Sequence, residues 1–177
     1  MIKAFSKFIL NRILGWKVLG TLPKNKKFII AVVPHSSYFD LIVAVLTRTY
    51  MGLKIKFIGK KELFNPLIAP IVKYIGGIPI DREKSENTVN IIVDLFSKDK
   101  IQILAVAPEG TRKKVKKWKT GFYYISLKAN LPIHMVSFNY FTKQIIINDG
   151  FYPTGNIQND LIELEKKVSD DNLRKSF

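Results

Sequence analysis

The chain has 177 residues, a length that suits one globular domain, and 47% of them are hydrophobic, which argues against a mainly disordered chain. The absence of cysteine and the presence of only two histidines exclude disulfides, cysteine nucleophiles and a zinc site built on cysteine and histidine. Lysine and arginine number 29 against 14 aspartate and glutamate, and the formal net charge of +15 attracts anions, with nucleic acid, anionic lipid and acidic carrier proteins as candidates.

The N-terminal segment, residues 1–20, predicts an amphipathic helix at a membrane interface. On a helix of about 100° per residue, residues 1–17 place apolar side chains on one face. These side chains are Met1, Ile2, Phe5, Phe8, Ile9, Ile13 and Trp16. Every charge in the segment is positive, and aromatic residues on the apolar side suit the lipid boundary. The alternative is an ordinary helix packed on the protein core.

From Lys27 onward, apolar strands alternate with helices. The predicted strands cover residues 28–33, 55–58, 78–80, 101–107, 133–138 and 144–147. The predicted helices cover residues 38–50, 86–97 and 121–129, the stretch from Pro66 to Gly76, and the chain from Ile157 onward. No apolar run reaches the roughly 18 to 20 residues that span a bilayer. The alternation predicts a single α/β domain, residues 21–177, whose mixed, mostly parallel sheet is flanked by helices.

A histidine and an aspartate follow the first predicted strand of this domain, at the edge where open α/β sheets bind ligands. His35 and Asp40 are five positions apart. If His35 lies in the loop and Ser37 caps the next helix, Asp40 in the first turn can accept a hydrogen bond from one ring nitrogen. The other nitrogen is then available as a general base. The alternative is that Asp40 only completes a capping box with Ser37.

Two further polar stretches follow other predicted strands. In the first, residues 109–112, Gly110 permits a tight turn, Thr111 offers a hydroxyl group, and Arg112 carries a planar guanidinium that suits a phosphate. The second, residues 76–82, begins with two glycines and ends on an aspartate and Arg82. Taken alone, each stretch also fits an ordinary surface turn.

Together the three stretches resemble the motifs of the glycerolipid acyltransferase family, typified by lysophosphatidic acid acyltransferases. His35 to Asp40 matches the family's H-x-x-x-x-D motif, residues 76–82 match its G-x-I-x-I-D-R-like motif, and residues 109–112 match its E-G-T-R motif. The resemblance implies transfer of a fatty acyl group from an acyl thioester, either acyl-CoA or acyl carrier protein. The acceptor it implies is the hydroxyl of a lysophospholipid, in the first place lysophosphatidic acid.

The resemblance also assigns roles to residues. It implies that His35 is the general base and that Asp40 orients it. The residues that it implies for substrate binding are Arg82, Glu109, Gly110, Thr111 and Arg112. Direct attack of a hydroxyl on a thioester needs a base, an anion site and an acyl groove, so no metal or other cofactor is expected.

Lysines surround Trp118 directly after the third motif, at positions 113, 114, 116, 117 and 119. Beside a phosphate site they favour contact with lipid headgroups or with the donor, and each can contribute about 1 kcal/mol at an anionic membrane surface. We therefore expect peripheral attachment to the cytoplasmic face of a membrane and no nucleic-acid partner. Two alternatives stay open: a basic nucleic-acid-binding protein, and a membrane-binding relative of the family that lacks activity.

Overall fold

One sheet of seven strands runs through the residues that the computed structural model describes, which are 1–24, 26–35, 37–80, 85–112 and 115–169. The strands β1 to β7 span Lys17–Leu19, Phe28–Val32, Ile55–Lys60, Gly77–Ile80, Ile103–Val106, Ile133–Asn139 and Gln144–Ile147. Their order across the sheet is β1-β7-β6-β2-β5-β3-β4. Neighbouring strands are parallel except β6 and β7, which are antiparallel. The predicted mixed, mostly parallel sheet is confirmed.

Helices cover both faces of the sheet. The helices α1 to α6 span Ile2–Phe8, Phe39–Met51, Ala69–Tyr74, Ser85–Ser97, Gly121–Ala129 and Ile157–Ser169. Successive side chains of β2 point to opposite faces and so enter two separate buried clusters. Ile29 and Ala31 pack with α4, α5 and α6, whereas Phe28 and Ile30 pack with α2. Burial on both faces explains why β2 is a continuous apolar run in the sequence.

The N-terminal helix is shorter than predicted. After α1 the chain continues as one π-helical segment, Ile9–Ile13, and then turns at Gly15, whose φ of 74° ends the helical path. Lys17–Leu19 forms β1, which is parallel to β7 at the edge of the sheet. The prediction of a helix through residue 17 was wrong at this end, because a glycine in a left-handed conformation frees the backbone to join the sheet.

The faces of α1 are arranged in an unusual way for a helix packed on a protein. Ser6 and, in the π-helical segment, Leu10 are buried, and α1 packs against α2. The apolar side chains point away from the protein: Met1, Ile2, Phe5, Phe8 and Ile13 are exposed. Trp16 was predicted on this apolar face but is buried beyond the helix, where it packs edge-on against Phe138 and Tyr140.

The cationic side of α1 faces the end of α2. The Lys3 side chain lies against Gly52, which follows the last residue of α2 with a φ of 71°, and a cation is favourable at a helix C-terminus. The Lys7 ammonium lies 5.4 Å from the centre of the Tyr50 ring. Among the described helices, none is both long and apolar enough to cross a bilayer.

Candidate active site

The two polar loops predicted at one edge of the sheet do meet there. Because β2 and β5 are adjacent and parallel, their carboxyl ends, Val32 and Val106, lie at the same edge. His35 and Glu109 each follow three residues after these ends. The Glu109 carboxylate accepts a hydrogen bond from the His35 backbone N–H at 2.7 Å, so the loops are joined directly. This contact between the first and third motifs was not predicted from the sequence.

His35 and Asp40 form the predicted pair. The imidazole Nδ1 lies 3.1 Å from Asp40 Oδ2, and the Asp40 side chain is 2% exposed whereas the His35 side chain is 25% exposed. A carboxylate accepts but cannot donate, so Nδ1 carries a proton, and in the neutral ring Nε2 keeps its lone pair. The arrangement gives a buried anion that orients an imidazole, and the imidazole remains accessible to a substrate.

Half of the predicted capping box is also present on the same carboxylate, although the residue that directly precedes α2 is Tyr38, which makes no side-chain cap. α2 begins at Phe39, whose N–H donates to the Ser37 hydroxyl at 3.0 Å. Asp40 Oδ2 accepts the Ser37 N–H at 2.9 Å while it faces the imidazole. The two roles do not compete, because the turn that caps the helix is the turn that places the carboxylate beside His35.

Tyr140 is the site residue that the sequence reasoning missed. It directly follows β6, and its hydroxyl donates a hydrogen bond to Asp40 Oδ1. It stands 100 positions away along the chain, so no local motif connects it to Asp40. The available signal was topological: β6 is parallel to β2 and adjacent to it, and so ends at the same edge of the sheet.

The third motif places Arg112 next to Tyr38, a residue of the first motif. The Arg112 guanidinium carbon lies 3.7 Å from the centre of the Tyr38 ring, and both side chains are exposed. Gly110 adopts a φ of 65° and its N–H donates to the Ala107 carbonyl at 2.9 Å, which makes the predicted tight turn. Thr111 beside it is exposed. The Lys119 side chain lies across Gly110 and brings a second cation to the loop.

Some predicted site residues cannot be placed. Arg82 lies outside the described residues, as do Lys113 and Lys114 of the basic stretch. Among the residues that the structure does describe, no group of three or more histidine, aspartate or glutamate side chains could hold a metal ion.

A mostly apolar cavity of about 230 Å³ lies beside Phe39 and Tyr140. It is lined by Ile13, Leu14, Trp16, Phe39, Tyr140 and Lys143. The ring of Tyr140 therefore borders the cavity while its hydroxyl group contacts Asp40.

An imidazole within hydrogen-bond distance of a buried carboxylate, at the edge where open α/β sheets bind ligands, has the geometry that general base catalysis requires. Comparison with known proteins makes the assignment specific. The Acyltransferase family model matches residues 17–139, and the chain belongs to that family. The resemblance drawn from the three motifs is confirmed.

A solved structure supports the same fold. The chain is similar to the crystal structure of the 1-acyl-sn-glycerophosphate (LPA) acyltransferase PlsC from Thermotoga maritima, with a TM-score of 0.67 and 20% sequence identity. The match covers 99% of this chain and 80% of that chain. At this level of identity the likeness establishes the architecture alone.

Proposed function

We propose that the protein transfers a fatty acyl group from an acyl thioester to the free hydroxyl of a lysophospholipid, with lysophosphatidic acid as the preferred acceptor. The observation that carries this proposal is the 3.1 Å contact between His35 Nδ1 and Asp40 Oδ2, which leaves Nε2 as the base. Membership of the Acyltransferase family and the fold that is shared with an LPA acyltransferase support it.

The reaction needs one proton to move twice. Nε2 of His35 takes the proton of the acceptor hydroxyl as its oxygen forms a bond to the thioester carbonyl carbon. The carbon–sulfur bond then breaks, and the imidazolium returns the proton to the departing thiolate. Asp40 holds the ring and stabilises its charged form between the two transfers. The donor is acyl-CoA or an acyl carrier protein, both of them anionic partners for a chain with a formal net charge of +15.

The loop of residues 109–112 supplies the anion site. Arg112 lies at its exposed end, where a guanidinium can bind a phosphate with two parallel hydrogen bonds, and Gly110 and Thr111 form the turn beside it. Glu109 acts on the backbone of the first motif: its carboxylate accepts the His35 N–H and so fixes the distance between the base and the anion site. Arg82 of the second motif completes the set of proposed phosphate ligands.

A purified-protein assay that crosses both donor types with a panel of lysophospholipids and glycerol phosphate tests the function. We expect wild-type product with lysophosphatidic acid, and a loss of kcat of about 10²- to 10⁴-fold in His35→Ala, the range for removal of a general base. The chain's other histidine offers a matched control: His134→Gln should keep kcat, because His134 is buried in β6 away from the site. Near-normal turnover in His35→Ala would contradict the base assignment.

The proposal includes peripheral attachment to an anionic membrane surface, on the cytoplasmic side. Its support is the outward apolar face of α1, on which Phe5 and Phe8 are 65% and 55% exposed. Water disfavours such a cluster of large apolar side chains, and a lipid interface accepts it. Vesicle sedimentation and duplex DNA binding, each measured over a salt series, distinguish membrane attachment from nucleic-acid binding. Binding to duplex DNA without binding to vesicles would contradict the proposed membrane attachment.

A further inference from the structure

We infer that Tyr140 is a positioning residue for acyl transfer, acting through Asp40. The inference rests on the proposed function and adds a third member to the pair of His35 and Asp40. Nothing in the three motifs points to this tyrosine, and no step of the proposed reaction needs its hydroxyl as an acid or a base. Its role follows from the acceptor of its hydroxyl hydrogen bond, which is the Asp40 carboxylate.

Asp40 is a carboxylate with donors on both oxygens. Oδ2 faces the His35 imidazole and accepts the Ser37 N–H, whereas Oδ1 accepts the Tyr140 hydroxyl. A carboxylate held on one oxygen can rotate about its Cβ–Cγ bond, and a donor on the second oxygen stops that rotation. Because Asp40 is 2% exposed, water is a poor replacement for a missing donor at this position.

Tyr140 is itself held in place before any substrate arrives. Trp16 packs edge-on against its ring, with ring centres 4.8 Å apart, and Phe39 lies 6.5 Å away. The preceding Asn139 is buried, and its side-chain oxygen accepts the backbone N–H groups of Phe141 and Thr142 at 3.1 and 3.0 Å. The turn after β6 is thereby fixed, and the phenol hydroxyl is aimed at Asp40 by rigid neighbours.

The consequence for the reaction is an effect on kcat. Without the hydroxyl, Asp40 loses a donor on Oδ1, and the imidazole is held less firmly in its orientation toward the acceptor hydroxyl. Misplacement of a catalytic group by about 1 Å costs about 100-fold in rate. Tyr140 has no part in the proposed anion site at Arg112, so the KM for the acceptor should stay near the wild-type value.

Tyr140→Phe tests the inference, because it removes the hydroxyl and keeps the ring packed against Trp16. We expect a loss of kcat of at least tenfold, a KM for donor and acceptor within about twofold of wild type, and a lower thermal midpoint, because a buried carboxylate loses a donor. In an Asp40→Ala background the same substitution should cause less than a twofold further loss, because the positioned carboxylate is already gone.

The chain contains a matched control. The Tyr123 hydroxyl also donates to a buried carboxylate, that of Asp160, at 2.8 Å, but in the cluster formed with α5 and α6. Tyr123→Phe should lower stability and leave kcat unchanged. Wild-type kcat in Tyr140→Phe, or a full additional loss in the Asp40→Ala background, would overturn the positioning role.

The outcomes also separate this inference from the proposed function. If wild type is active, His35→Ala inactive and Tyr140→Phe normal, only the role of Tyr140 fails. If His35→Ala keeps wild-type turnover, the general-base proposal fails, and the role of Tyr140 fails with it.

Discussion

At the scale of single residues, Tyr38 connects the first motif to the third. It lies three positions after His35 and immediately before α2. The Arg112 guanidinium carbon lies 3.7 Å from the centre of its ring. A long arginine side chain on an exposed loop has many rotamers, and a ring beneath it reduces their number before a phosphate binds. The first motif thus contributes to the proposed anion site as well as to the proposed base.

Substituting Tyr38 should therefore change acceptor binding and leave the chemical step intact. We expect Tyr38→Ala to raise the KM for lysophosphatidic acid about two- to fivefold, the equivalent of about 0.5 to 1 kcal/mol for an exposed cation–π contact, with kcat unchanged. Tyr38→Phe keeps the aromatic face and should behave like wild type.

Steady-state kinetics with acceptors that carry or lack the phosphate provide the measurement. Tyr152→Ala, another exposed tyrosine, is the control and should leave both constants unchanged. An equal rise in KM for both acceptors would separate Tyr38 from phosphate recognition.

At the scale of elements, the N-terminal segment combines packing in the core with an exposed apolar face that we propose contacts a membrane. The sequence pattern predicted an amphipathic N-terminal helix with seven apolar side chains on one face, and five of the seven, in Met1, α1 and the π-helical segment, are exposed, as a membrane-interface helix would require. It did not predict β1, because a strand of three residues carries too little periodicity to be distinguished from the end of a helix. Leu10 and Trp16 belong to the core, so deleting the segment would remove packing as well as any membrane contact.

Point substitutions on the outward face separate the two functions. The double variant Phe5→Ser and Phe8→Ser should lower binding to vesicles that contain anionic phospholipid by at least about tenfold, because each side chain gives about 1.5 to 3 kcal/mol when it is fully buried in an apolar phase. Its unfolding free energy should match that of wild type, since both side chains already face solvent.

Two further variants serve as controls for this prediction. Leu10→Ala should lower the unfolding free energy by about 2 to 5 kcal/mol, the cost of a cavity in a packed core. Ile162→Ser, at an exposed position of α6, should affect neither vesicle binding nor stability. Vesicle binding that survives the double variant would remove α1 from the membrane contact.

At the scale of the whole molecule, the site is assembled by sheet topology. The loops after β2, β5 and β6 converge because these three strands are adjacent and parallel. The placement of His35, Asp40 and residues 109–112 at one edge of the sheet could be predicted because they follow predicted strands. Tyr140 and the contact of Glu109 with the His35 backbone could not, since they depend on which strands are neighbours and on how each loop turns at its strand end.

The same packing sets how stability depends on pH. His134 on β6 is buried, and its Nδ1 lies 3.0 Å from the Asn148 carbonyl oxygen. Burial lowers the pKa of His134 below its usual value of 6.5, although the Asn148 carbonyl opposes the shift. The unfolded chain therefore binds a proton that the folded protein does not, and stability is lost as pH falls below about 6.5.

We expect the unfolding free energy of wild type to decrease from pH 7 to pH 5, with His134 contributing at most about 1.4 kcal/mol per pH unit. In His134→Gln this contribution should disappear, so the decrease should be smaller even if the variant is less stable at pH 7. Urea unfolding at several pH values measures it. An identical pH dependence in wild type and His134→Gln would contradict the assignment.

The exposed apolar face of α1 affects which mutations the protein can accept during evolution. Its large apolar side chains contribute little to folding, because they touch water rather than the core. If α1 binds lipid as proposed, mutations there tune or abolish residence on a lipid surface without damage to the candidate active site at the opposite end of α2. Adaptation to a bilayer of different composition would then proceed through a few side chains that the rest of the molecule does not need.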